Sequence, residues 1–153
     1  MRAHGVEIHP RSFELGMMNA FAEMVAMGVK RLAISPPLLP EAYQEVRSAL
    51  EALVEGSGIR SYLERSLLVT NLQSAEFTRG KWSVLFFRED ETLEAYLALK
   101  ARRDALEAEG RYQGESRIEI SREFMRLLSY PEEVIDAKLA RGPGTDPFVL
   151  LED

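Results

Sequence analysis

The chain has 153 residues, 46% of them apolar and 29% charged, and a formal net charge of −6 at pH 7. That length buries one sizeable core and the composition is globular, while the acidic balance argues against polyanionic partners such as nucleic acid or anionic membrane. Without a single cysteine, the chain has no disulfides, thiol nucleophiles, or Cys-ligated zinc or iron–sulfur centres.

No run of about 18 or more apolar residues marks a membrane span. The opening MRAHGVEIHPR lacks the apolar core of a signal peptide, so a cytoplasmic protein is expected. Fifteen Arg against four Lys, and Glu well above Asp, fit either ion-pair-laced stability at high temperature or a GC-rich genome.

Met1 to Arg11 shows no periodicity. Pro10 and Ser12 then mark a helix start, with Ser12 as N-cap. Apolar residues at Phe13, Met17, Phe21, Met24 and Val25 carry the spacing of an amphipathic helix as far as Met27, and Gly28 supplies the stop. Val29 to Ser35 reads as a strand ended by Pro36-Pro37. Pro40 and Glu41 open a second helix to about residue 55. Two β-rich runs follow, Leu67 to Thr70 and Trp82 to Phe87, giving expected strands at 62–71 and 81–88 as the centre of a sheet. The acidic Glu89-Asp90-Glu91 starts a third helix, which runs to about Glu109. A fourth spans Ser116 to Leu128, with Ser116 and Glu119 at capping-box spacing. A short fifth follows Pro131 and ends before Gly142-Pro143-Gly144.

The element order α-β-α-β-β-α-α-α predicts an α/β fold, or α+β if the first strand pairs elsewhere. The sheet is expected to be small and mixed, with about three strands, helices packed on it, and a C-terminal helical part over 90–142. Residues 1–142 form one domain in this reading and 143–153 a tail, with Phe148 to Leu151 the part that could dock. Open sheet edges make a homodimer plausible.

Ligands of open α/β sheets collect at the carboxyl ends of the parallel strands. Those ends carry Ser35, Thr70 and Asn71. The starts of the first two helices lie at the same edge, bringing His9, Arg11 and Ser12, and the following loop adds Arg79 and Lys81. Helix N-termini, hydroxyls and three cations suit a small anion such as phosphate or carboxylate. Against this stands a structural reading of each residue. Ser35, Thr70 and Asn71 are good turn residues, and His4 and His9 fit a loose surface segment, with no third metal ligand beside them. No metal site and no cofactor is expected, because GxGxxG, Walker A and Gly-x-Ser-x-Gly patterns are all missing. Four of the six methionines, Met17, Met18, Met24 and Met27, fall on the first helix, where they fill a core or form an adaptable interface.

The stretch EISREFMRLLSYPEEVI, Glu119 to Ile135, resembles the C-terminal end of a family of uncharacterised prokaryotic proteins with a Leu-Leu-Gly-Tyr-Pro-Glu segment. Ser129 stands at the glycine, and Glu133-Val134 where some members carry two cysteines. The resemblance implies a family of unknown function and no site residues. A helix-turn-helix over the last two helices is disfavoured, since nine basic residues between Lys100 and Arg141 are matched by nine acidic ones. Three functions follow in order: a cytoplasmic binding or interaction module, homo-oligomeric and without chemistry; an enzyme or sensor for a small anionic metabolite at the Ser35/Asn71 edge; and nucleic-acid association through the C-terminal helices.

Overall fold

The computed structural model describes residues 2–3 and 5–142. His4 and the tail 143–153, with its Phe148–Leu151 run, lie outside the described residues. The fold is α/β. Two two-residue strands, β1 (Arg2–Ala3) and β2 (Val6–Glu7), pair at the N-terminus. After them come α1 (Pro10–Ala26), β3 (Leu32–Ile34), α2 (Pro40–Ser57), β4 (Arg60–Glu64), α3 (Ala75–Thr78), β5 (Ser83–Phe87), α4 (Asp90–Ala108), α5 (Gly114–Leu127) and α6 (Glu132–Ala140).

Proline and glycine punctuate the helices much as the sequence suggests. Both α1 and α2 begin with Pro at the first turn, where the missing N–H is no loss. The cap of α1 is His9 instead of Ser12: its Nδ1 accepts from the Ser12 backbone N–H at 3.3 Å. Gly58, at φ +65°, ends α2 in the left-handed region. Ser116 falls inside the first turn of α5, whose cap is Gln113.

The main sheet has three strands in the order β3-β5-β4. β3 and β4 run in the same direction, as their α2 crossover suggests, but β5 lies between them. Each hydrogen-bonded pair is therefore antiparallel: Leu32 faces Phe87 on one side of β5, and Arg60 faces the same residue on the other. The last strand made is the central one, and all five of its residues are buried.

Alternation along β5 builds two cores. Leu85 and Phe87 join Leu32 and Ile34 against Tyr96 and Leu99 of α4, Ile120 and Phe124 of α5, and Ile135 of α6. Val84 and Phe86 join Ala33 against Met18, Ala22 and Val25 of α1 and Val46 and Leu50 of α2. Both sheet faces are covered, which explains the unbroken apolar run SVLFF. The C-terminal helices share a core with the sheet. Among the described residues no helix is long and apolar enough to cross a membrane.

The run Leu67 to Thr70 is a buried loop and not part of a strand, because β4 ends at Glu64. Its backbone is satisfied from a distance. Tyr112 donates to Val69 O at 2.5 Å, Arg117 Nη2 to Thr70 O at 3.1 Å, and Gln73 Nε2 to Leu68 O at 2.9 Å. At the end of β4, Glu64 is 2% exposed. Its carboxylate accepts from Tyr96 Oη at 2.7 Å, from Lys100 Nζ at 2.8 Å and from the Ser66 N–H at 2.9 Å. A buried charge persists in such a place only when it is paired and hydrogen-bonded in this way.

Candidate functional site

The residues first considered for a site are held by contacts on opposite sides of the sheet. His9 and Ser12 bond each other at the start of α1, with Ser12 Oγ 3.1 Å from His9 Nδ1. Arg11 is neutralised by Glu14 and by Glu45, the latter at 2.8 Å. Ser35 is buried between strands, where Oγ accepts from Val84 N at 2.9 Å and donates to Pro36 O at 3.0 Å. Thr70 and Asn71 pack on α5: Asn71 Oδ1 accepts from Arg117 Nε at 2.8 Å, and the Asn71 N–H donates to Ser121 Oγ at 2.9 Å. Thr70 Oγ1 closes its own turn by accepting from Leu72 N at 3.0 Å. Arg79 follows α3 on the surface, and Lys81 lies 5.2 Å from the Phe77 ring centroid. Arg11, Ser35, Thr70 and Asn71 thus spend their polar groups on holding the fold.

A cavity of about 320 Å³ opens at the opposite edge. The carboxyl end of β5 points there, since β5 is antiparallel to its neighbours, and the strand-to-helix turn into α4 forms one wall. The turn from α1 into β3 forms the other. Gly28, Lys30, Arg31, Arg88, Glu89, Glu91 and Thr92 line it. Gly28 is required twice over. It has φ +75°, and a Cβ there would sit 3.3 Å from Arg88 Nη1, so the guanidinium lies directly over its backbone.

The β3–β5 register sets the charges. Pairing Leu32 with Phe87 leaves Arg31 and Arg88 just beyond the end of the ladder, where both line the cavity and like charges repel. Arg88 has Glu89 at 3.8 Å, while Arg31 has no carboxylate within ion-pair distance among the described residues. Lys30 is half-buried. Its amine donates to Leu128 O at 2.5 Å, lies 5.4 Å from the Tyr130 ring centroid, and is pushed below the usual lysine value by burial. The N-terminus of the 19-residue α4 faces the same space, with no side-chain cap bond from Glu89, and its exposed N–H groups and dipole favour an anion. Thr92, only 3% exposed, lines the cavity. Three cations, a helix start and a threonine thus face two carboxylates. That lining can hold an oxyanion and orient it; among the described residues no cluster of acidic or histidine side chains could hold a metal ion.

These residues come from two short segments that only the strand register brings together. The one local signal is a basic residue at each end of an apolar strand, Lys30-Arg31 before β3 and Arg88 after β5. Two arginines of α5, Arg122 and Arg126, are held in ion pairs with α6. Arg122 lies 2.7 Å from Asp136, and Arg126 pairs with Glu132, whose carboxyl is held below the usual range chiefly by that hydrogen bond. The chain matches no protein-family model, no curated protein and no solved structure.

Proposed function

We propose that this chain is a binding protein for a small phosphate-type anion, held at the junction of β5 and α4. The observation that carries the proposal is that Arg31 lines one cavity with Arg88, just past the Leu32–Phe87 pair, with no carboxylate partner of its own among the described residues. An anion between the two converts a repulsion into two charge-assisted bonds, and the α4 start and Thr92 hydroxyl add donors to it.

A thermal-shift titration with inorganic phosphate and a panel of phosphorylated and carboxylated metabolites tests this. A ligand at a hundred times its Kd adds about 2.7 kcal/mol to the folded state. The R31Q/R88Q double variant should fold and lose the response. A wild-type melting temperature indifferent to phosphate and to every phosphorylated compound sinks the proposal, as does an undiminished response in the double variant.

A second reading is a homodimeric interaction module. It is supported by Met24, Met27 and Val29, exposed together at the end of α1 beside the same cavity. Light scattering at working concentration tests it, and a monomer removes it.

A further inference from the structure

A second cavity of about 320 Å³ lies toward the C-terminal end of α4, walled by the buried loop, α3 and the start of α5. Arg103, Glu107, Tyr112 and Arg117 bring polar groups to it, and Val69 and Ala75 bring apolar ones. Arg103 is the unusual member. Its side chain is nine-tenths buried, yet Nε makes no hydrogen bond. Asp104 Oδ1 approaches Nε to 2.8 Å, off the direction a hydrogen bond needs. Nη1 reaches Glu107 Oε2 only at 3.3 Å. A buried nitrogen without a directed hydrogen bond is costly.

Arg117 also keeps donors in reserve. Nε and Nη2 hold Asn71 and Thr70, while Nη1 has no partner among the described residues. Its guanidinium lies 5.5 Å from the Tyr112 ring centroid. Burial raises the Tyr112 hydroxyl, Arg117 and Arg103 pull against that rise, and Glu107 adds to it; all four side chains line the cavity.

We infer that this cavity binds a small monocarboxylate with a short apolar body, its carboxylate between Arg103 and Arg117 and its body against Val69 and Ala75. Asp104 and Glu107 already balance the two arginines, so a monoanion, which adds one negative charge, suits the site better than a phosphate dianion, which adds two. The planar fork of a guanidinium fits the two oxygens of a carboxylate. The cavity holds about ten water-sized volumes, room for a few carbons behind that head group. This site is independent of the β5–α4 junction.

Titration of methyl-labelled protein with propionate and with benzoate, followed by NMR at Val69 and Ala75, tests the assignment. Both acids should shift these methyls saturably in the wild type. R103K keeps the charge but loses the fork and should bind about tenfold more weakly. A75W fills the cavity from the exposed side of α3, without changing charge, and should abolish binding. Phosphate binding at the first site should be unchanged in both variants, so failure here and failure there are separable. Wild-type methyls that do not move with either acid overturn the inference. So does either variant binding as tightly as the wild type.

Discussion

Replacing Lys100 by methionine should destabilise this protein by about 3–5 kcal/mol, the range for breaking a buried ion pair by removing one partner. The geometry argues for that range and not for the fraction of a kcal/mol of a surface pair. Glu64 is 2% exposed, and the Lys100 side chain 17%. The amine bonds both carboxylate oxygens at 2.8 Å. Methionine keeps the stem packed but leaves the carboxylate with only Tyr96 and the Ser66 N–H. For a chain of this length the loss corresponds to roughly 10 °C in melting temperature. Urea denaturation with linear extrapolation measures it. The double variant E64Q/K100M, which removes the charge as well, should recover about 1 kcal/mol or more. A loss below about 1 kcal/mol in K100M, or a double variant no better than the single, would show that water reaches the pair and that the burial argument is wrong.

Three further outcomes follow. G28A should cost about 1–2 kcal/mol from its positive φ alone, and the new methyl should displace Arg88 and weaken phosphate binding; a melt and a titration equal to the wild type refute it. Ser129 sits at φ +64° while its hydroxyl accepts from the Arg31 N–H at 3.0 Å, so S129A keeps the strain and loses the bond, and should be less stable than S129G, which relieves the strain; the reverse order in urea melts refutes this. Burial raises the hydroxyls of Tyr96, Tyr112 and Tyr130, with Glu64 adding to the rise at Tyr96. Because the unfolded chain releases these protons near pH 10, stability is full below that point and falls above it, by up to about 1.4 kcal/mol per pH unit for Tyr96 and by less for the half-buried pair. Lys30, lowered by burial, opposes this weakly as pH rises to about 10.4. The tyrosinate absorbance of these three should therefore appear together with loss of the helical signal; their titrating while the helices persist refutes it.

The helices were legible because proline starts and glycine stops act locally. The buried strand SVLFF was legible from its apolar run. The Leu67–Thr70 run was misleading for a physical reason. Its apolar residues are as buried as a strand's, but its backbone groups are satisfied by Tyr112, Arg117 and Gln73, partners that no local pattern reveals. Strand order was hidden as well, since nothing in the sequence says that the third strand of the sheet enters between the first two. That one fact also moved the candidate site. With β5 reversed in the centre, the carboxyl end that opens a cavity belongs to β5, and the register of residues 32 and 87 decides which cations meet. Of the three residues expected in turns, Thr70 closes its own turn, while the Ser35 hydroxyl is spent on β5 and the Asn71 amide on α5, partners far away in sequence.

The central place of β5 has a consequence for how the chain is made. β3 and β4 pair only with β5, so a ribosome that has released both still has no ladder of the main sheet to close. Up to about residue 82 the emerging polypeptide holds helices, and apolar strands with bare edges, the kind of surface that chaperones shield. Within five residues the sheet can then close over α1 and α2, while its other face waits for α4, α5 and α6. Nascent chains arrested before and after Ser83–Phe87 should differ sharply in protease resistance, and a gradual gain spread over earlier lengths would show that the sheet does not wait for its last strand.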